Sequence, residues 1–408
     1  MPQLHDLNVI VSTFERPDHL RRCLASLARQ TLAANRFAII IADDGSGDET
    51  PEVSQQFAES SSIECRFVTH PHDGFQKAKA VNAALRETTA DYLVLTDGDC
   101  IFPPDHLEQH LIAKQPSVVR AGNAVYLNEL DSQRIDLSSI ENGSWLDIVP
   151  RKLTFTLQQT YWKSRYYETI HHATKPRIVG NNFGVWRQAL EAINGFDERF
   201  QGWGCEDDDV GLRLKAAGQR IKTILAQTHA FHLWHPNDPS RTDAWQDGQN
   251  VKYFQRPIQL RRCLLGMHYI PLDQLVARIS AGPEHFGLAA ALESRFRPNI
   301  ADQSPLPTLE VLLWSAGQSF VGDAEAKILV SDRGQIPSRS IVQQADVHLQ
   351  FAGSLRMSRE HRGDVCSSTS PQLAWLMDQI AAQIGVGETA SKSMERALDS
   401  RIYPRAVA

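Results

Sequence analysis

The feature that most limits the fold is an alternation of short apolar runs with helical patterns in the N-terminal part of the chain. Four runs have the length and composition of buried strands, namely Leu7–Val11, Phe37–Ile41, Cys65–Thr69 and Tyr92–Thr96. Between them, apolar residues recur at helical spacing after Pro17 and again after Gly74. Strands that alternate with helices predict an α/β fold, with a mostly parallel sheet and helices on its faces.

Acidic groups follow two of these predicted strands. Asp43 and Asp44 follow the second strand, and Asp97-Gly98-Asp99 follows the fourth. Ligands of open parallel sheets bind beyond the carboxyl ends of the strands, so we expect the chemistry at this edge. Two carboxylates spaced by one residue suit Mg2+ or Mn2+. The same residues are also ordinary turn and helix-capping residues, and both interpretations stay open.

A second acidic cluster opens a predicted helix further along the chain. Four consecutive acids, Glu206 to Asp209, follow Trp203 in a glycine-rich stretch. Acids at a helix start are partly explained by the helix dipole. One of them can also serve as a general base that takes the proton of an acceptor hydroxyl, with Trp203 as an aromatic platform for a sugar.

Three histidines, His229, His232 and His235, follow at a spacing of three residues. A neutral imidazole is a good additional ligand for Mn2+. The alternative is that all three are surface residues.

Composition excludes some classes of protein. The 408-residue chain has a formal charge of −6, which argues against a protein built to neutralise nucleic-acid phosphates. No apolar stretch is long enough to cross a bilayer and the N-terminus lacks a signal-peptide pattern, so a cytoplasmic location is the default expectation. The six cysteines have no close pairs, which predicts reduced thiols.

The rest of the chain is less regular. Aromatic residues accumulate between Leu127 and Arg177, where they indicate either an acceptor-side insertion or a packed helical subdomain. Further predicted strands are Ile178–Trp186, Lys222–Ala226, Lys327–Ser331 and Asp346–Phe351. Predicted helices cover the leucine pattern of Leu260, Leu264, Leu272 and Leu275, and the segment Gln372–Ile384. Arg356, Arg359 and Arg362 are expected to be solvated.

In order and spacing, several motifs resemble the family 2 glycosyltransferases with the GT-A fold. Val9–Phe14 with Arg16-Pro17 is similar to the family's opening strand and loop, Ala42–Ser46 to its uridine-binding turn, and Leu95–Asp99 to its metal motif. The stretch from Phe183 to Asp209 is similar to the C-terminal half of β-1,4-galactosyltransferases and of bacterial chondroitin-polymerase-type enzymes.

The resemblance implies roles for individual residues. Asp207 falls at the position of the general base, and Glu206 at that of a contact to sugar hydroxyls. The metal ligands implied are Asp97, Asp99 and His232, although spacing from the galactosyltransferases would favour His235. The nucleotide-sugar contacts implied are Thr13, Phe14, Glu15, Arg16, Asp44, Lys79, Asp97, Gly98 and Trp203.

The function implied is that of an inverting, Mn2+- or Mg2+-dependent transferase of a sugar from a UDP-sugar, of the Gal or GalNAc type, to a glycan or glycoconjugate. Residues 1–127 would form the nucleotide-sugar-binding half of the domain, 128–285 its acceptor-binding half, and 286–408 an extension of unknown role. Peripheral association of the protein with the inner membrane face is compatible with this function. Cys205, where glycine is common, and the segment 75–82 depart from the family pattern. The alternatives are a metal-dependent nucleotidyltransferase and a catalytically silent sugar-nucleotide-binding module.

Overall fold

The computed structural model describes residues 5–236, 248–297, 308–351, 355 and 371–385. The chain divides into two compact units. The first contains the described residues up to Val251 together with Leu265–His268, and the second contains Lys252–Leu264 and the described residues from Tyr269 onward. The expected boundary between residues 285 and 286 stays a prediction.

The first unit alternates strands and helices as far as β4 and then adds a helical insertion. Its strands are β1 (Leu7–Thr13), β2 (Phe37–Asp43), β3 (Glu64–Thr69), β4 (Tyr92–Asp97), β5 (Cys100–Ile101), β6 (Val118–Ala121), β7 (Ala124–Tyr126), β8 (Phe183–Trp186), β9 (Arg220–Thr223) and β10 (Ala230–His232). Its helices are α1 (Pro17–Ala28), α2 (Thr50–Ser60), α3 (Lys77–Arg86), α4 (His106–Ala113), α5 (Glu129–Arg134), α6 (Leu137–Asn142), α7 (Trp145–Ile148), α8 (Arg151–Thr169), α9 (Arg187–Ala192) and α10 (Glu206–Ala216). The division between the units falls within α11 (Gln249–Phe254).

Seven of these strands form one sheet in the order β3-β2-β1-β4-β8-β6-β9. The strands from β3 to β4 are parallel, and β8 is antiparallel to both of its neighbours. Every residue of β1 and β2 is buried, because alternate side chains pack into two different helical layers. Ile10 belongs to the cluster that contains residues of α3 and α10, whereas Val9 packs with residues of α1.

Helix α1 shows why the layers are stable. Pro17 occupies its first turn, and Leu20, Leu24 and Leu27 are at most 1% exposed on the face toward the sheet. Each buried leucine contributes roughly 2 kcal/mol through its removal from water. A charged residue at position 24 should therefore detach the helix.

A smaller sheet in the order β5-β10-β7 begins directly after Asp97-Gly98-Asp99, since β5 starts at Cys100. β10 pairs antiparallel with β5, so that His232 lies opposite Cys100. The N–H of Leu233 also donates to the carbonyl of Asp99 over 2.9 Å. This pairing brings the histidine segment next to Asp99.

The second unit contains a four-stranded parallel sheet in the order β11-β12-β13-β14. Its elements are β11 (Ala277–Ala281), α12 (Phe286–Glu293), β12 (Leu309–Leu313), β13 (Ala326–Asp332), α13 (Arg339–Val342), β14 (Val347–Phe351) and α14 (Pro371–Gln383). Its core is formed by strand residues such as Val311 and Ile328 with Leu288 of α12 and Leu376 of α14.

The predicted α/β class, the four N-terminal strands, the two strands around residues 330 and 350, and the C-terminal helix are confirmed. The helix predicted over residues 260–275 is wrong. Pro257, Gly266 and Pro271 interrupt that segment, which has no helix beyond the short 3-10 turn Leu272–Gln274, although Leu260, Leu264 and Leu275 are buried.

Two predicted strands are shorter than expected. A strand was expected over residues 222–226, but the observed strand is Arg220–Thr223 and a turn follows it. Another was expected over residues 178–186, but the observed strand covers only Phe183–Trp186. Strands β11 and β12 were not predicted from the sequence. Arg356, Arg359 and Arg362 lie outside the described residues. Among the described residues, no helix is long and apolar enough to cross a membrane.

Candidate active site

A cavity of about 610 Å3 opens at the carboxyl edge of the large sheet. The ends of β1, β2 and β4, the start of α10 and the end of β10 contribute to its walls. The predicted site residues that line it are Thr13, Phe14, Arg16, Asp44, Asp97, Gly98, Asp99, Trp203, Glu206, Asp207, His232 and His235. Glu15, Lys79 and His229 are not among its lining residues.

Asp99 and two histidines form a compact group in this cavity. His232 Nε2 lies 3.4 Å from Asp99 Oδ1, and His235 Nε2 lies 3.0 Å from Asp99 Oδ2. One ligand atom from each of the three residues lies within 4.8 Å of the others, a separation that a single metal ion can bridge. Burial alone would raise the pKa of Asp99, but the two histidines outweigh it and hold this pKa well below its usual range.

The tautomer of His235 helps to determine whether the Asp99, His232 and His235 group can bind a cation. Its Nδ1 lies 2.6 Å from the carbonyl oxygen of Pro236, and because a carbonyl can only accept, Nδ1 carries the proton. In the neutral ring, Nε2 then presents a lone pair to the carboxylate of Asp99. A cation or a second proton must lie between two such acceptors, so the donor set fits a divalent metal.

Asp97 has a different set of partners. Its Oδ1 lies 2.7 Å from Lys77 Nζ and accepts a hydrogen bond of 2.7 Å from Ser12 Oγ. Gly98 allows the tight turn between Asp97 and Asp99, because a Cβ there would lie 3.1 Å from the Thr13 side chain. The structure thus brings Asp99 to the histidines and Asp97 to Lys77.

The four consecutive acids of α10 separate into different environments. Glu206, Asp207 and Asp208 all line the cavity, and Asp208 also pairs with Arg177 at 3.2 Å. Asp209 is 1% exposed and forms a buried ion pair with Arg213 at 2.6 Å.

Cys205 begins helix α10 in a left-handed backbone conformation, with a φ of 74°. Glycine adopts this conformation without the steric cost that a Cβ brings. Cys205 is therefore a strained residue at a position where glycine is common.

Only one of the two carboxylate oxygens of Asp207 has a hydrogen-bond partner among the described residues. Its Oδ2 accepts a 2.7 Å hydrogen bond from the N–H of Gly180, and its buried Oδ1 has no hydrogen-bond partner among the described residues. A Cβ at Gly180 would lie 2.7 Å from that Oδ2 and 2.4 Å from Lys77 Nζ, so a larger residue there would displace the Asp207 carboxylate or the Lys77 ammonium.

Burial and mutual repulsion shift the titration of this cluster. Burial and the charge of Asp207 raise the pKa of Glu206 to about 7, and burial also raises the pKa of Asp207. Burial would lower the pKa of Lys77, but the carboxylates of Asp97, Asp207 and Glu206 outweigh it and raise this pKa well above its usual range. Lys77 therefore stays charged among the acids.

Asp44 and the loop after β1 form the other end of the cavity. Asp44 Oδ2 accepts a 2.7 Å hydrogen bond from the N–H of Gln76, and its Oδ1 lies 3.1 Å from His70 Nε2. The ring of Phe14 stacks on His72 with centroids 4.4 Å apart. A stacked aromatic pair next to a fixed carboxylate is suited to a flat, hydrogen-bonding ligand such as a base.

Lys77 lines the cavity, whereas the lysine predicted from the sequence was Lys79, whose Nζ is instead 3.2 Å from Gln76 Oε1. Residues two positions apart on a helix project roughly 200° apart, so only one of the two lysines can reach the cavity. Asn181 also lines the cavity and was not predicted; it donates to Tyr126 Oη over 3.1 Å, and its buried Oδ1 has no partner among the described residues. The loose match of the segment 75–82 to the family pattern did not distinguish Lys77 from Lys79, and no motif contained Asn181.

Acids outnumber bases in this cavity. It is lined by six acidic residues (Asp44, Asp97, Asp99, Glu206, Asp207 and Asp208) and three basic ones (Arg16, Lys77 and Arg177). Such a site attracts cations and repels a free diphosphate. A divalent cation would reverse that balance locally.

Residues 8–127 match the sequence profile described as glycosyl transferase family 2, and residues 160–236 match that described as N-terminal domain of galactosyltransferase. Both matches fall in the first unit and confirm, for these two segments, the resemblance to family 2 glycosyltransferases with a galactosyltransferase-type second half. With the seven-stranded sheet, these matches confirm the expected GT-A fold.

Named relatives match part of the chain. It is 28% identical over 263 residues to the hyaluronan synthase of Pasteurella multocida, covering 60% of this chain and 26% of that protein. It is 24% identical over 294 residues to the chondroitin synthase of Escherichia coli, covering 65% and 42%. The chain thus spans less than half the length of either relative.

Two solved structures are more distant. The mannosyltransferase PcManGT from Pyrobaculum calidifontis, in complex with GDP-Man and Mn2+, is 21% identical with a TM-score of 0.40, over 54% of this chain and 55% of that chain. S. aureus TarS in complex with UDP-GlcNAc is 14% identical with a TM-score of 0.39, over 58% and 61%. At these TM-scores neither structure defines the geometry of this cavity.

Proposed function

We propose that this chain is an inverting, divalent-metal-dependent glycosyltransferase, which moves a sugar from a UDP-sugar of the Gal or GalNAc type to a hydroxyl of a glycan or glycoconjugate. The observation that carries the proposal is that the Asp99, His232 and His235 group lines one cavity with Asp207, whose Oδ1 has no hydrogen-bond partner among the described residues.

Asp207 is the general base in this proposal. The Gly180 N–H fixes one of its oxygens, so the other is directed to take the proton of the acceptor hydroxyl as the new C–O bond forms. The bond between the anomeric carbon and the diphosphate oxygen breaks on the opposite face, which inverts the configuration. Glu206 binds sugar hydroxyls beside it.

Asp99, His232 and His235 hold the metal, with Asp97 alongside. When bound, the metal supplies positive charge that stabilises the leaving diphosphate as a Lewis acid. Two imidazoles favour Mn2+, since Mg2+ prefers oxygen ligands. Lys77 adds a second, fixed positive charge next to Asp97.

The donor and acceptor classes have separate support. Asp44 and Phe14 line the cavity, and a fixed carboxylate beside an aromatic ring supports a base-binding role for them. Trp203 also lines it and supports a sugar platform, in a loop whose carbonyls at Gly202 and Gly204 accept hydrogen bonds of 3.1 and 3.0 Å from Asn250. Similarity to proteins named hyaluronan and chondroitin synthase supports a glycan acceptor.

The experiment that tests the proposal is a nucleotide-sugar panel with Mn2+, read by release of the free nucleotide. We expect turnover with a UDP-sugar and loss of it in EDTA, in Asp99→Ala and in Asp207→Asn. Near-native turnover in both variants would contradict the proposal. Binding of UDP without any release would identify the silent module, and release of pyrophosphate from a nucleoside triphosphate would identify the nucleotidyltransferase.

A further inference from the structure

Helix α8 carries three large aromatic side chains that face solvent. Phe155, Trp162 and Tyr166 are 61%, 68% and 61% exposed. At 100° per residue, the three project within roughly 40° of one another, so they form one stripe along the helix. The opposite face of the helix contributes Leu153 and Leu157 to a core cluster. The stripe is therefore separate from the residues that hold the helix on the domain.

Basic residues flank this stripe. Lys152 and Lys163 project roughly 60–80° to one side of its centre. Arg165 projects about 80° to the other side, where it pairs with Glu168 at 2.6 Å. Residues 151–177 contain six Lys and Arg, of which Arg165 pairs with Glu168 and Arg177 with Asp208, so a net excess of four positive charges is left in a chain whose formal net charge is −6. The local excess of positive charge selects an anionic partner.

We propose that helix α8 docks the domain on the surface of an anionic lipid bilayer. An interfacial helix lies in the membrane plane with aromatic and aliphatic side chains in the headgroup region and lysines beside them, which is the arrangement found here. Trp and Tyr are the residues that favour that interface. The basic flanks add attraction to anionic headgroups.

An anionic glycan is the other partner with suitable charge, and two observations favour the bilayer over it. The rings project from the convex face of one helix, whereas small-ligand and sugar sites are concave. An aliphatic residue, which does not stack on sugar rings as an aromatic residue does, is also exposed at the end of the helix, since Ile170, directly after α8, is 47% exposed.

The proposal does not depend on the transferase activity, so it is tested without donor. The full chain is sedimented with vesicles of phosphatidylcholine alone or with phosphatidylglycerol added. We expect binding to the anionic vesicles that weakens as salt is raised. Trp162→Ser combined with Tyr166→Ser should lower the partition coefficient by about tenfold or more. Lys152→Gln and Lys163→Gln should lower it by about fivefold each.

Matched controls come from exposed residues elsewhere in the first unit. Ile112→Ser, at a position 70% exposed on α4, and Arg29→Gln, at an exposed position after α1, should bind vesicles as the unchanged protein does. All variants are first compared by thermal unfolding.

Equal vesicle binding by the α8 variants and the controls would overturn the proposal. So would an absence of binding to anionic vesicles. An acidic oligosaccharide that binds in a Trp162-dependent manner while the vesicles do not would assign the stripe to a glycan instead.

Discussion

His235 Nε2 lies 3.0 Å from Asp99 Oδ2, while His232 Nε2 lies 3.4 Å from Oδ1 of the same carboxylate. One carboxylate thus faces two imidazoles, although the resemblance in the sequence required a choice between them. The arrangement predicts that both histidines contribute to cation binding.

His232→Ala and His235→Ala should each weaken Mn2+ binding by at least about tenfold, since each removes a nitrogen that faces Asp99. The measurement is Mn2+ titration followed by electron paramagnetic resonance. His229→Gln is the control, because His229 does not line the cavity among the described residues. Unchanged affinity in His235→Ala would leave His232 as the sole histidine ligand.

Asp207→Asn should lower kcat by roughly 10²- to 10⁴-fold, because the amide cannot accept the hydroxyl proton. UDP affinity should change little. Asp208→Asn, one position along and paired with Arg177, should lose far less activity. Rates from nucleotide release and affinities from calorimetry separate the two effects. A similar loss in both variants would indicate a general effect of charge.

The raised pKa of Glu206 predicts a pH dependence of stability. Its value of about 7 in the folded protein exceeds the 4.5 of the unfolded chain, so the folded state binds more protons between these values. Stability contributed by this group is present below pH 4.5 and is lost as pH rises through 7. As the pH rises from 5 to 8, the free energy of unfolding of Glu206→Gln should therefore increase relative to that of the unchanged protein by on the order of 1–3 kcal/mol.

Urea unfolding of metal-free protein at several pH values measures this difference. Glu52→Gln, at an exposed position on α2, reports the general effect of removing a charge. A Glu206→Gln profile parallel to that of the unchanged protein would show that Glu206 titrates normally.

Lys77→Met should lower turnover at least tenfold and destabilise the protein by on the order of 1 kcal/mol, because it leaves Asp97 without its partly buried partner. Lys79→Met should be close to unchanged in both respects, since Lys79 contacts Gln76 outside the cavity. Nucleotide release and thermal unfolding on the pair provide the comparison. Loss of activity in Lys79→Met instead would favour the assignment made from the sequence.

Cys205→Gly should preserve stability or raise it by up to about 1 kcal/mol, because glycine relieves the left-handed strain at this position. Cys205→Val should lower stability, since a β-branched side chain adopts this conformation least readily. Thermal unfolding of the two variants tests the assignment, and equal unfolding temperatures would show that the backbone is unstrained.

Local patterns were enough to predict the strands and helices that carry Asp44 and Asp99, because buried strands and amphipathic helices have short-range signatures. They also identified Asp207 and the histidines as candidates. They could not identify Lys77 as the lysine of the cavity, since the direction of a side chain at a helix start depends on how the helix packs. The leucines between residues 260 and 275 led to a wrong helix prediction for a similar reason, because they are buried without forming a helix.

The antiparallel pairing of β10 with β5 has a consequence for assembly. Asp99 comes from the first quarter of the chain, and both imidazoles arrive only when β10 closes against β5. A chain that has formed β1 to β4 alone carries the carboxylate without its nitrogen partners. Cation affinity should therefore report the completion of this long-range closure, and the cation should in turn favour the closed domain by mass action.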